Sequence, residues 1–310
     1  PWVGGGGGGS TGGVFPVLWG GAGGGGRGGG GGGGGGIGKE RRRVGSPVLE
    51  WLMPHVAPFV LVLSRVGGLF MFTPLLSSGS IPTRVKVMLA LALTLVLYPT
   101  VEPEMARAIP LEVWSLVPAI ATEVVIGMAL GIFAAIPLMT VQLAGLLMGQ
   151  QMGLAIASVL NPNADIPGDN LGQMLFLMTL VSWVYVGGLE LLVGALAVTF
   201  DRVALGGFAF SDAPLWVLSG LMQSGYELAL RMAMPVLLII FVENVALAFI
   251  MKTVPSLNIM TFGFPLRIIL GLFVFIGALE GIRYLMMADL WETHGVIDAW
   301  VMSLGAGEGE

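Results

Sequence analysis

The sequence predicts an all-α, membrane-associated protein built of apolar helical hairpins, several of them kinked. Three observations carry this. Of 310 residues, 55% are hydrophobic and 11% charged, with a mean hydropathy of +0.89, whereas a soluble domain of this length would expose far more charge. Apolar runs of the roughly 20 residues needed to cross a bilayer recur along the chain. Strand-type alternation is sustained nowhere.

Residues 1–46 hold 25 of the 50 glycines, including the run Gly28–Gly36. Such a stretch cannot bury enough surface to offset its chain entropy and is expected to be disordered. It lacks the apolar core of a signal peptide. It reads as a leader, non-native or carried in by a misplaced start, with the folded protein beginning near residues 44–46. The alternative is a flexible tail whose "KERRR" (39–43) touches anionic headgroups.

Six apolar blocks follow from Pro47. The first runs from about Leu52 to Phe72, where Pro74 stops it. "SSGSIPTRVK" (77–86) is a turn-rich connector. The second block, about 85–97, ends at Pro99, and "TVEPEMARAIP" (100–110) is a loop of mixed charge. The third block is long, about 113–153; Pro137 within it removes a backbone donor and is expected to kink or split the helix. After it comes the polar stretch "NPNADIPGDN" (161–170), then a fourth block, about 171–200. "DRVALGGFAFSDAP" (201–214) is a loop. The fifth block, about 215–251, contains Pro235. "KTVPSLNIMTFGFP" (252–265) reads as a second polar break, and a last block spans about 266–287. The tail 288–304, with Trp291 and Trp300, is expected to form a separate interfacial helix.

Charge and residue chemistry exclude several functions. Five basic residues (Arg27, Lys39, Arg41, Arg42, Arg43) precede residue 47 against one acid, Glu40, leaving nine basic and eighteen acidic residues beyond. An acidic, apolar body gives no electrostatic reason to bind nucleic acid. There is no cysteine, hence no disulfide and no thiolate ligand. His55 and His294 have no ligand-like neighbours at helical spacing and read as interfacial residues. No Walker loop, G-x-S-x-G or H-E-x-x-H is present, so no catalytic residue, metal site or cofactor is assigned. Basic residues lie both before the first block (41–43) and just after it (Arg84, Lys86), on what would be opposite membrane faces. Either the leader is not native, or some helices are buried in protein rather than crossing lipid.

Small residues recur at four-residue spacing: Gly127/Gly131, Gly145/Gly149/Gly153 and Gly277/Gly281. Without side chains between them, helix backbones can approach closely. Met148 and Met152 stand one turn apart beside Gly145–Gly153, with Gln150 between them. Methionine either fills a core gap there or forms a seal that repacks as something passes. Ionisable residues within the apolar blocks (Arg65, Glu123, Glu190, Glu227, Arg231, Glu243, Arg267, Glu280, Arg283) need partners or a wet cavity. Glu227/Arg231 at i,i+4 and Glu280/Arg283 at i,i+3 read as structural pairs. Glu123 and Glu243 have no sequence-local partner, which points to inter-subunit or proton-linked positions.

Four stretches together, "SGSIPTRVKVMLALALTLVLYP" (78–99), "EVVIGMALGI" (123–132), "AGLLMGQQMGLAIASVLNP" (144–162) and "PSLNIMTFGFPLRIILGL" (255–272), resemble the FliR family of flagellar biosynthetic proteins. That family is the R component of the type III export gate, whose injectisome counterpart is the T protein. The resemblance covers residues 47–290 and leaves the leader unmatched; residues 291–310 would be the interfacial helix and an acidic tail. "GFP" (263–265) favours the flagellar branch. The chain departs from the pattern at Leu146, where relatives often carry Glu, and near "VGGLELL" (186–192), where they often have His; roles of those side chains are not carried over.

The resemblance implies helical hairpins packed into a multi-subunit helical export gate of the bacterial inner membrane, in the flagellar basal body. There the chain would complete a channel with FliP- and FliQ-type subunits, beside FlhB- and FlhA-type export proteins, and pass unfolded flagellar substrates. It also implies a pore plug loop at Ser158, Val159, Leu160, Asn161, Pro162, Asn163, Ala164, Asp165, Ile166, Pro167, Gly168 and Asp169. Gly145, Met148, Gly149, Gln150, Met152 and Gly153 would pack helices at the gate. The physical reading agrees: irregular backbone at membrane depth is tolerated only inside protein or along a wet cavity, and Asn161-Pro162 and Ile166-Pro167 oppose helix continuation. The rival readings are an ordinary solvent loop for this segment, and for the whole chain a secondary transporter of a small solute, suggested by broken helices with isolated glutamates, or a purely structural membrane scaffold.

Overall fold

A computed structural model of the chain describes residues 47–77, 81–101, 113–154, 169–207, 215–253 and 259–304. The leader, with its expected disorder, and plug positions 158–168 lie outside the described residues. Among the described residues eight α-helices follow in chain order: α1 Pro47–Phe72, α2 Pro74–Ser77, α3 Thr83–Leu97, α4 Val113–Met152, α5 Asn170–Tyr185, α6 Gly188–Arg202, α7 Leu215–Thr253 and α8 Ile259–Ser303. A single 3₁₀ turn, Tyr98–Thr100, closes α3. Among the described residues there is no strand. The protein is an all-α membrane protein: five of these helices are long and apolar enough to cross a bilayer, and α5 with α6 would make a sixth as one bent span.

Proline and glycine set most boundaries. Pro74 has no N–H and pushes Thr73 out of helical conformation, so α1 ends there, and the Thr73 hydroxyl donates to the Leu69 carbonyl. At Pro99 α3 gives way to the 3₁₀ turn while Tyr98 keeps helical angles (φ −54°, ψ −41°), and the Tyr98 hydroxyl meets His55 Nδ1 at 2.7 Å, tying this turn back to α1. Inside long helices proline acts differently. Pro137 does not split α4, which continues as one 40-residue helix through both Pro118 and Pro137. α7 likewise runs through Pro235 and α8 through Pro265. The loss of one backbone hydrogen bond is outweighed where packing and an apolar setting hold the remaining bonds.

Two expected boundaries move. The fourth apolar block is two helices, α5 and α6, bent by 61°. Gly187 takes a left-handed φ of 86°, and Gly188 leaves room for the Trp183 indole, whose Cε2 lies 2.2 Å from where a Cβ would be. Conversely, the expected interfacial helix over 288–304 is the last third of the 45-residue α8. Its Leu290, Ile297, Trp300 and Val301 are buried, and Trp300 packs edge-to-face on Phe133 of α4 at 5.2 Å. A tryptophan needed to fill the core is not free to mark an interface, so no boundary falls at residue 291.

The long α4 is the axis. It packs against α1, α5, α7 and α8 and divides its buried face between two apolar cores. Leu130, Phe133 and Leu138 meet α1, α6 and the end of α8 in the first; Met148 and Met152 meet α5, α7 and the middle of α8 in the second. The α1–α4 contact is the closest. A Cβ on Gly68 would lie 2.4 Å from the Val124 carbonyl oxygen, and one on Gly127 2.0 Å from that of Arg65. Gly131 continues the same contact toward Leu69. The four-residue glycine spacing of α4 thus packs helices, as its pattern suggests.

Beside this contact Arg65 and Glu123 are both fully buried and bonded, Arg65 Nε donating to Glu123 Oε2 at 2.5 Å. The guanidinium also donates to Thr199 Oγ1 (3.0 Å) and the Val203 carbonyl (3.4 Å), and lies 4.3 Å from the Phe200 ring centre. The second carboxylate oxygen accepts from the Gly206 N–H at 2.7 Å. Glu123 is therefore neither inter-subunit nor unpaired, contrary to the sequence expectation. Its partner stands 58 residues away, where no local spacing reveals it. The network joins α1, α4 and α6 with every charged atom engaged, which is what permits two charges in an apolar interior.

Two tests follow from this packing. Gly68→Ala should lower the thermal midpoint of the solubilised protein, by about 1–3 kcal/mol of stability, because backbone must move; Gly67→Ala, whose Cβ would meet nothing within 4 Å, should leave the midpoint unchanged. Arg65→Met should cost about 3–5 kcal/mol by stranding Glu123, and Arg65→Met with Glu123→Met should recover most of that loss. Amounts of folded protein in the membrane would order these two variants against the parent chain.

Candidate functional site

The polar stretch between α4 and α5 is the feature that composition least explains, and the structure defines how the chain leaves and re-enters it. α4 stops because Gly153 takes a left-handed φ of 79°. Its N–H donates to the Gln150 carbonyl and the Leu154 N–H to that of Gly149, the paired bonds that close a helix when glycine follows its last residue. Gly153 thus serves as a stop signal.

The other predicted gate residues divide over three faces of α4. Gly145 lies against the start of α5, where a Cβ would be 2.6 Å from Gly172 Cα and 2.9 Å from the Leu171 carbonyl oxygen. Gly149 faces the same helix at ordinary contact, 3.6 Å from Leu171 Cβ. Met148 and Met152 are fully buried toward α7 and α8, the Met152 side chain covering Gly271, where a Cβ would meet its Cγ at 2.5 Å. They fill the second core in this chain and present no surface. Gln150 points outward and is exposed.

At the re-entry, Asp169 is the one predicted plug residue within the described set. It occupies the N-cap position of α5 without a side-chain cap bond. Instead Asp169 Oδ2 accepts from Gln142 Nε2 on α4 at 3.1 Å, and Oδ1 is buried with no partner. The side chain curls over Gly172, whose Cβ would fall 2.1 Å from Oδ1. Both ends of the stretch are thus fixed to α4: one by its glycine stop, the other by Gln142 and the Gly145–Gly172 contact. Gln142 escaped the sequence reading. Its signal is a lone amide one turn before Gly145 on the same helical face.

The second polar break shrinks, since α8 already begins at Ile259. Near it Glu243, which has no sequence-local partner, is buried and takes Arg267 Nε on Oε2 at 3.3 Å, leaving Oε1 buried without one. Arg267 also donates to Asn244 Oδ1 and lies over the Phe264 ring. The two pairs expected from local spacing both form, Glu227 with Arg231 and Glu280 with Arg283, on the surface. A cavity of about 230 Å³ between α7 and α8 is lined by Ser224, Glu227, Arg231, Asp289 and Glu292 with apolar neighbours. Of the two histidines, His55 is held by Tyr98, and His294 is buried, 8% exposed, edge-on to Trp291, so it is a packed residue rather than an interfacial one. The described residues contain no group of three His, Cys, Asp or Glu placed to hold a metal. What this arrangement can do is mechanical: hold a polar segment at fixed points on a rigid helix.

Comparison with known proteins places this frame. The family model described as bacterial export proteins, family 1, matches residues 56–292. The chain is 27% identical over 224 residues to the flagellar biosynthetic protein FliR of Escherichia coli (strain K12), covering 72% of this chain and 83% of that protein. It is 26% identical over 213 residues to FliR of Bacillus subtilis (strain 168), covering 68% and 81%. It is 28% identical over 226 residues to the Yop proteins translocation protein T of Yersinia pestis, covering 71% and 85%. The match takes in α4, both ends of the polar stretch, and the helices packed around them, and by it the chain belongs to the bacterial export proteins, family 1, the family of the FliR proteins.

Proposed function

We propose that this chain is the R-type subunit of the flagellar type III protein export apparatus, embedded in the bacterial inner membrane at the basal body. It completes the export channel with FliP- and FliQ-type subunits, next to FlhB- and FlhA-type proteins, and lets unfolded flagellar substrates pass. Membership of the export family, with FliR proteins among its relatives, supports the coarse assignment. A T-type translocation relative supports the same machinery in its virulence form. Protein export rather than small-solute transport is also what the paired glutamates favour, since Glu123 and Glu243, isolated in sequence, are both engaged within the chain.

In this reading the segment 158–168, together with Asp169, plugs the closed channel. The observation that carries it is the double anchorage on α4. A segment with Asp165 and two X-Pro steps, hydrophilic in an apolar protein, is launched from a glycine stop and received by a half-buried amide–carboxylate bond. Hydration of Asp165 requires water or polar protein around it, and a channel lumen supplies that at membrane depth. The energy for export comes from other components, because the sequence holds no nucleotide-binding loop.

Deletion of residues 158–169 should make membranes carrying the complete apparatus leak small ions, read as conductance or loss of membrane potential; unchanged conductance would sink the plug. Gln142→Ala, which removes a bond to a carboxylate of about 1–3 kcal/mol, should give a smaller leak in the same assay with the protein still assembled. Affinity purification of the tagged chain should recover FliP- and FliQ-type partners in fixed ratio, and recovery of a stable, solitary chain would argue against the assignment.

A further inference from the structure

Both helices of the C-terminal hairpin are about twice as long as a bilayer is thick. α7 has 39 residues and α8 45, about 58 and 68 Å at 1.5 Å per residue, against a hydrocarbon layer of about 30 Å. They run antiparallel: Glu243 meets Arg267, while the polar cavity joins residues 224–231 to 285–292. Surface chemistry changes sharply along this hairpin. From Met232 to Thr253 and from Phe262 to Leu279, about 30 Å on each helix, the exposed surface is almost wholly apolar. Leu238, Phe241, Ile269 and Phe273 are 56–76% exposed. The polar groups there are few: Arg267 is bonded to Glu243 and Asn244, and Lys252 lies one residue from the helix end.

At the next turn on both helices charge returns at once. Glu227–Arg231 and Glu280–Arg283 are ion pairs whose side chains are 59–78% exposed. Asp289 and Glu292 follow in the cavity wall. Tyr226 and Tyr284 stand exposed beside these pairs, next in sequence to Glu227 and Arg283. Three independent features therefore coincide: the end of an apolar mantle of bilayer length, open ion pairs that are costly in hydrocarbon, and aromatic side chains of the kind that gather where hydrocarbon meets water.

We propose that the level of Arg231 and Glu280 is a membrane boundary. Lipid acyl chains cover the mantle between it and the hairpin tip, and the remaining length of both helices, residues 215–231 and 280–303, lies beyond the hydrocarbon. This goes beyond the export-gate reading and rests only on the chain being a membrane protein. The competing occupant of the mantle is a helix of another subunit.

The chain has no cysteine, so single-cysteine variants can be read without background, in membranes containing the complete apparatus. Ser224→Cys and Ala288→Cys, both at exposed positions, should react with a charged, impermeant maleimide once the membranes are opened. Leu238→Cys and Ile269→Cys should lose that labelling, and a fluorophore attached there should be quenched by lipids carrying a nitroxide deep in the acyl chain. Phe241→Cys and Phe273→Cys replace either variant if it fails to accumulate. Labelling at 238 and 269 equal to that at 224 overturns the boundary. Protection without lipid quenching puts protein on the mantle and overturns it as well, as does lipid quenching at 224 and 288.

Discussion

The structure depends on how closely α1 approaches α4. Gly68 and Gly127 bring backbone to backbone at distances no side chain would survive, and the buried Arg65–Glu123 pair sits beside that contact. Each makes the other possible. Close packing excludes water and strengthens the attraction between the charges, while the network fixes α6 and the turn after it over the same spot. An ion pair in that position is a demanding device, because a partial set of bonds would leave a charge stranded in apolar surroundings. Here the set is complete.

The same economy governs the rest of the polar groups. Buried threonines are satisfied within their own helices, Thr94 donating to the Ala90 carbonyl and Thr179 to that of Leu175. The buried polar atoms left without a partner among the described residues are Asp169 Oδ1, Glu243 Oε1, Asp289 Oδ2 and His294 Nε2. None lies in the α1–α4–α6 network. One marks the re-entry of the polar stretch, and the other three lie on the long α7–α8 hairpin. The rigid half of the molecule is polar only where it is fully bonded. Incomplete pairing among the described residues falls at the re-entry of the polar stretch and along the α7–α8 hairpin.

Long helices explain how one chain serves both halves. α4 contributes glycines on its first half to receive α1 and glycines on its second half to receive α5, with large apolar side chains between them facing two separate cores. Because a helix is stiff over this length, the anchor at Gln142 is referred directly to the α1–α4 contact. That continuity holds the two ends of the polar stretch, Gly153 and Asp169, in place relative to α4 and the helices packed on it.

The sequence by itself determined the membrane class, the helices, most of their ends, the close glycine contacts at Gly127, Gly131 and Gly145 (though not those expected at Gly277 and Gly281, where a Cβ would meet nothing within 4 Å) and the local ion pairs. Hydropathy, proline, glycine and i,i+4 spacing are written in consecutive residues. It also carried the family, through several stretches in order. What only the tertiary structure decided were the relations across long separations: Arg65 with Glu123, Glu243 with Arg267, Gln142 with Asp169, and Trp300 buried on Phe133. It also decided that prolines in α4, α7 and α8 are bridged while a glycine pair breaks α5 from α6. A proline or an isolated glutamate has the same local signal whether its surroundings compensate it or not. The compensating atoms come from other helices, and their arrival is settled by packing.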